Sequence, residues 1–428
     1  MNFDEKLLAL ADEADEALRP RFEAIARVSR ENTARVLSAF AAHRVDAACF
    51  GSTDGYGYDD RGRDTLDAVF AQVTGAEAAF VRHSIVSGTH ALTIGLFGLL
   101  RPGDILLSAA GKPYDTLSEV IGLAGEAGNG SLADFGVSYR QIEMKEGKTL
   151  DLPALRAFLE SEEGARVKVV FIQRSKGYLL RRTLTVDEIG QAARLVKSIR
   201  PDAFLMVDNC YGEFTETVEP PAVGADLTVG SLIKNPGGGM AASGGYLAGT
   251  RRAVELASYR LTCPGIGLEE GASLSQNKNL FRGLFFAPHT VAEALKTAHF
   301  AAYIFEKLGC RVDPAYDEPR SDIIQTVITG SREGLCAICR GIQAGSPVDA
   351  YVTPVPYAMP GYQDDVIMAA GAFVQGSSLE LSADGPLRPP YTAYLQGGLT
   401  FESGRIGILS AAATYLAEGK IKEKEERK

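Results

Sequence analysis

Between about residues 78 and 255, short and mostly apolar runs alternate with longer stretches that repeat apolar residues at helical spacing, and nothing else narrows the fold so much. Ala78–Arg82, Asp104–Ser108, Val167–Gln173, Phe204–Asp208 and Leu227–Gly230 read as strands buried on both faces. A strand covered on one face only would alternate apolar with polar residues. Helical stretches lie between most of them. Thr89–Leu100 follows a Ser-Gly-Thr turn and is stopped by Pro102-Gly103, and Val186–Ile199 opens with Asp187 and Glu188, acidic residues that suit the positive end of a helix dipole. The alternation predicts an α/β domain built on a mostly parallel sheet.

The flanks read differently. Residues 2–48 carry apolar positions at helical spacing (Leu7, Leu8, Leu10 and Ala11, then Phe22, Ile25 and Ala26, then Val36 and Phe40), which predicts two or three amphipathic helices. A Gly-rich break at Gly51–Gly57 ends this arm, and Thr65–Val73 restarts a helix. Beyond about residue 290 come a long helix (Val291–Leu308), a strand-like piece (Ile323–Thr329), a helix (Glu333–Ala344) and Gly- and Pro-rich loops. A last helix, Gly404–Leu416, runs into a mixed-charge tail that reads as a solvated end. At 428 residues the chain exceeds what one core organises. The division expected is a helical arm over 1–55, a large α/β domain over 56–290 and a smaller α+β domain over 291–428.

Composition removes several classes of function. A net charge of −10 argues against a non-specific grip on nucleic acid, which needs basic patches. No apolar run reaches the ~18 residues of a membrane span. Six cysteines are too sparse for a disulfide framework, and no secretory segment opens the sequence, so the cytoplasm is the expected compartment. Cys336 and Cys339 form a lone C-x-x-C in a helical stretch and read as two buried thiols, and five scattered histidines lack metal-ligand spacing. A small-molecule ligand is expected, and no metal.

Two neighbouring segments carry the chemistry. Phe204-Leu-Met-Val-Asp-Asn-Cys-Tyr ends a buried strand in a carboxylate, and 26 positions after Asp208, Lys234 stands between a strand and a glycine run in Thr228-Val-Gly-Ser-Leu-Ile-Lys-Asn-Pro-Gly-Gly-Gly. Ligands of open α/β sheets bind at the carboxyl ends of strands, where both residues fall. Pyridoxal phosphate (PLP) chemistry needs such a pair: a lysine amine to hold the aldehyde as an imine and carry protons, and an acid to keep the pyridine nitrogen protonated. Alone, Asp208 reads as a turn cap and Lys234 as a solvated loop lysine. Ser87-Gly88-Thr89 opens a helix after a strand and offers unpaired backbone N–H groups to a phosphate, or is an ordinary Ser cap. Ser231 is a further candidate for the phosphate. The glycines of 237–245 lack the order of a nucleotide-binding loop, and Gly-Gly-Tyr-Leu-Ala-Gly reads as a returning strand.

The S-G-T-H turn, a tyrosine after a strand, the V-D-N strand end and S-x-x-K followed by glycines together resemble the Cys/Met-metabolism branch of fold-type-I PLP enzymes. Within it the chain is similar to the methionine γ-lyase-like and cystathionine β-lyase-like aluminium-resistance proteins, which also share G-S-T-D-G-Y-G-Y-D-D-R-G-R-D and A-G-K-P-Y-D-T-L. The resemblance implies an aspartate-aminotransferase-like fold and a carbon–sulfur lyase that works by β- or γ-elimination on a sulfur amino acid, releasing thiol, ammonia and keto acid. It implies Tyr114 stacked on the cofactor ring, and Tyr58 (or Tyr56) and Arg61 lent to a partner's cofactor phosphate in a homodimer or homotetramer. Tyr58 or Tyr114 would assist as acid or base. The chain departs from the better-known lyases at Ile172-Gln-Arg-Ser-Lys-Gly-Tyr, leaving Gln173, Arg174 and Ser175 as candidates beside the ring hydroxyl. For the substrate carboxylate Arg388 leads, with Arg320 and Arg174 behind it. Transamination, racemisation, aldol cleavage, or a PLP-binding stress protein with little turnover are the competing functions.

Overall fold

The computed structural model describes residues 3–359 and 362–419. It opens on a single helix, α1 (Glu5–Ala42), where the sequence suggested two or three. Leu7, Ala11, Ala14, Leu18, Ile25, Val36 and Ala39 are all buried along it. Their spacing keeps one apolar stripe running past Pro20, so the arm forms a single helix.

The large sheet is assembled from β1 (Ala78–Arg82), β2 (Ile105–Ser108), β3 (Ser138–Gln141), β4 (Val167–Gln173), β5 (Phe204–Asp208), β6 (Leu227–Ser231) and β7 (Gly245–Gly249), in the spatial order β1-β7-β6-β5-β4-β2-β3. The pairs from β6 through β3 are parallel, while β7 returns antiparallel between β6 and β1. Its helices are α2 (Arg61–Thr74), α3 (Gly88–Leu99), α4 (Leu117–Ile121), α5 (Leu152–Glu160), α6 (Val186–Ile199) and α7 (Arg251–Leu261). Two apolar clusters, one containing Phe80, Leu96, Met206 and Leu247 and the other Leu107, Ile172, Ile189 and Val207, explain why these strands lack alternation. Capping agrees with the sequence: Thr185 and Glu188 form a reciprocal box at the start of α6.

Helix α8 (Asn277–Lys307) begins well before the Val291 expected from sequence and runs through Pro288. A proline inside a helix costs about 3 kcal/mol. Leu280, Phe281 and Leu284 are buried on the added turns, and at roughly 1.5–3 kcal/mol per large apolar side chain they offset that cost. The glycine run after Lys234 packs here: a side chain on Gly283 would lie 2.3 Å from the Gly237 carbonyl oxygen, so loop and helix meet backbone to backbone.

After α8 come β8 (Arg311–Asp313), β9 (Gln325–Ile328), α9 (Arg332–Ala344), β10 (Val366–Ala369), β11 (Ser382–Pro386), β12 (Thr392–Gln396) and α10 (Phe401–Thr414). The five strands form an antiparallel sheet in the order β10-β11-β12-β9-β8, the α+β pattern expected. The charged tail beyond Gly419 lies outside the described residues.

The chain divides into two compact units, Val28–Pro288 and Met1–Arg27 with His289–Lys428. The first helix thus forms no unit of its own. No helix among the described residues is long and apolar enough to cross a membrane.

Candidate active site

Strands β4, β5 and β6 run parallel and side by side, so their carboxyl ends share one edge. Gln173 and Asp208 are register partners there, and Ser231 ends the next strand. All three are buried. Asp208 accepts a hydrogen bond from the Cys210 N–H at 3.1 Å. Burial pushes its carboxyl above the ordinary range, and the Lys234 charge offsets part of that rise. Lys234 itself is half-buried, with Nζ 4.0 Å from the centroid of the Tyr211 ring. Desolvation would lower its pKa, but the groups around it, Cys210, Tyr211, Asp208 and Glu213, outweigh burial and hold the ammonium above its usual range.

The start of α3 meets the same edge. Ser87 caps the helix, its Oγ accepting from the His90 N–H at 3.1 Å, and a Cβ on Gly88 would lie 3.5 Å from both Cys210 Sγ and Ser231 Cβ. Gly88 thus leaves the first turn open beside the end of β6. The Ser231 hydroxyl is buried without a hydrogen-bond partner among the described residues, an arrangement that costs free energy unless something else supplies one. Thr89 reaches Thr116 at 2.8 Å. A phosphate would meet helix N–H groups and an unsatisfied hydroxyl together.

Tyr114 is fixed from β4: its N–H donates to Gln173 Oε1 at 2.6 Å, and the Gln173 amide donates in turn to the Ser175 carbonyl at 3.0 Å. Gly177, at φ +56°, lies so close that a side chain there would be 3.0 Å from the Tyr114 ring.

Arg174 is corrected as a candidate for either the ring hydroxyl or a substrate carboxylate. Its fully buried guanidinium spends all five donors on the Leu184 and Gly212 carbonyls, Asn209, Thr215 and Glu216. Arg320 is engaged with the Ile324 and Ala298 carbonyls and Gln325. Arg388, in the other compact unit, pairs with Asp364 at 2.8 Å and is partly exposed. Tyr58 and Arg61 are exposed and bond Glu270 at 2.8 Å and Asp46 at 2.6 Å, with no bond to the Lys234 cluster among the described residues. The C-x-x-C thiols are both buried, and burial raises both above the ordinary thiol range.

Sequence reasoning missed three residues of this cluster. Tyr211 sits under Lys234. Glu213 is buried, accepts from the Tyr246 hydroxyl at 2.7 Å, and is pushed up to about 8 by burial. Arg181 donates to the Gln173 and Ser175 carbonyls, both at 2.6 Å, and its charge reaches Asp208. Only Tyr211 carried a signal, as the aromatic closing the Asp-Asn-Cys-Tyr strand end.

The methionine gamma-lyase family profile matches residues 7–416. The chain belongs to that family. A carbon-sulfur lyase involved in aluminum resistance from Clostridium novyi NT superposes with a TM-score of 0.92 at 48% identity, covering 96% of each chain. The uncharacterized protein YnbB of Bacillus subtilis (strain 168) is 50% identical over 392 residues, 92% of each chain. CalE6, a methionine gamma lyase from Micromonospora echinospora, shares the fold at 18% identity and a TM-score of 0.52. For a methionine gamma-lyase family member, a lysine, an acid and an anion-binding turn along one sheet edge form the natural candidate for the reacting centre.

Proposed function

We propose that this chain is a PLP-dependent carbon–sulfur lyase acting on a sulfur amino acid, with Lys234 as the lysine that holds the cofactor. The observation that carries the proposal is the convergence of Lys234, buried Asp208 and the partnerless Ser231 hydroxyl beside the α3 turn. When bound, PLP supplies an aldehyde that an amine can condense with and a protonated ring that withdraws an electron pair from a neighbouring carbon.

The chain's own residues have separate tasks. Asp208 gains from a cation beside it, because its buried carboxylate is short of counter-charge, and so it would keep a ring nitrogen protonated. Ser87, Ser231 and the N–H groups of Gly88 and Thr89 would hold the phosphate, and Tyr114 would cover the ring face. Lys234 Nζ takes the substrate's α-proton and returns it elsewhere. Arg388 is proposed for the substrate carboxylate, through the paired donors of its guanidinium.

We further propose a homodimer at least, and a homotetramer by family analogy, with Tyr58 and Arg61 serving the neighbour's phosphate and residues 1–55 lying against a partner. Their exposure supports this, as do the solvent-facing apolar residues Leu8, Leu37 and Phe50. Residues 56–290 would be the cofactor domain and 291–428 the smaller domain bearing Arg388.

Incubating the PLP-loaded protein with a panel of sulfur amino acids tests the activity. Thiol, ammonia and a keto acid in equal amounts are expected, with a three-carbon keto acid reporting β-elimination and a four-carbon one γ-elimination. Amino-group transfer without thiol release would overturn the lyase assignment.

A further inference from the structure

The ring beneath Lys234 is held with unusual care. Tyr211 lies at φ +73° and Phe214, three residues on, at φ +63°. Two non-glycine residues in the left-handed region of one short loop persist only where the surroundings over-determine them. Here they do. Arg174 bonds Asn209, the Gly212 carbonyl, Thr215 and Glu216 from one side, and Asn32 donates to the Phe214 and Glu216 carbonyls at 2.9 and 3.1 Å from another. Asn235, the residue after Lys234, donates to the Tyr211 and Glu213 carbonyls at 3.0 and 2.9 Å. The loop that carries the ring is therefore bonded directly to the backbone segment that carries the lysine.

We propose that Tyr211 is a positioning residue for Lys234, its ring face holding the lysine as an ammonium whenever the amine is released. This rests on the role proposed for Lys234. A ring face attracts a cation and not a neutral amine. It therefore favours the proton-loaded lysine, the form that has taken a proton and must stay within reach to return it. The other titratable groups around Lys234 are Asp208 at the end of β5 and Cys210 and Glu213 in the loop after it, while the Arg181 charge acts on Asp208. Burial keeps the Cys210 thiol protonated and pushes the Glu213 carboxyl up to about 8, so at neutral pH both are largely uncharged, while the Tyr211 ring faces the lysine at contact.

The test is the rate at which added PLP builds its visible imine band on full-length protein freed of cofactor, at a pH below the lysine's pKa. Only the neutral amine attacks an aldehyde, so removing the ring face raises that rate by about tenfold, one pH unit's worth of neutral amine. Tyr211→Leu and the unbranched Tyr211→Met are expected to load faster than wild type, and Tyr211→Phe, which keeps the face, to match it. A merely structural defect would slow loading instead. Where a non-aromatic side chain prevents folding, 3,4,5-trifluorophenylalanine at position 211 keeps the ring's shape while draining its face, and should load faster than Tyr211→Phe. Unchanged or slower loading in the non-aromatic and fluorinated variants overturns the inference while leaving Lys234 as the carrier. Borohydride reduction and peptide mapping separate the two claims, since a label on another lysine overturns both.

Discussion

Asp208, Glu213 and Lys234 are ionisable groups gathered in one region, where burial raises the two carboxyl groups above their ordinary range and the surrounding groups hold Lys234 above its own. Glu213 gives the clearest consequence. Burial raises its carboxyl from an ordinary 4.5 to about 8, so between those values the folded chain holds a proton that the unfolded chain has lost. Its contribution to stability is therefore fully present below about 4.5 and falls away as pH rises through about 8. Glu213→Gln keeps an oxygen to accept from Tyr246 and removes the charge. Its Tm should decline less than that of wild type between about pH 5 and pH 9, and parallel Tm curves would contradict the assignment. Asp208 and Lys234 were legible in the sequence because each ends a recognisable strand or precedes a glycine run. Glu213 was not, because what raises it is burial in the folded chain, and its hydroxyl partner Tyr246 lies 33 positions away on β7.

At the scale of elements, strands buried on both faces declared themselves. Val167–Gln173 and Phe204–Asp208 stand where the apolar runs put them, and Val186–Ile199 lies between its cap and its last apolar turn. Helices α1 and α8 run longer than the sequence suggested, each through an internal proline, because whether a helix survives a proline depends on what its far turns bury, and local sequence does not show that. The α3 turn has two separable tasks, capping a helix and, by our proposal, holding a phosphate. Ser87→Ala should lose about 1 kcal/mol of capping energy, whereas Ser87→Gly should lose only a few tenths. Both should weaken PLP binding alike if the hydroxyl meets the phosphate. Thermal melts and PLP titrations of the two variants check this, and unaltered PLP affinity in both would assign Ser87 to capping alone.

For the whole molecule, Tyr58 and Arg61 pose the central question, since they face solvent in a chain whose family membership is plain. If Arg61 serves a neighbour, mixing inactive Lys234→Ala with inactive Arg61→Ala protein and allowing subunits to exchange should restore roughly a quarter of the wild-type sites, because a hybrid dimer carries one intact site. No recovery after exchange, or a monomer by light scattering, would contradict the shared site. Sequence could not reveal this arrangement through composition or periodicity, which describe one chain; only resemblance suggested it.

The central claim, that Lys234 carries PLP, is tested most directly by the visible absorption of the purified protein before and after borohydride, beside Lys234→Ala. The account predicts an imine band in the wild type that borohydride abolishes, a reduced cofactor mapped to the Lys234 peptide, and no such band in the variant. A wild type that shows no band when supplied with PLP, or a variant that keeps the band, would contradict it.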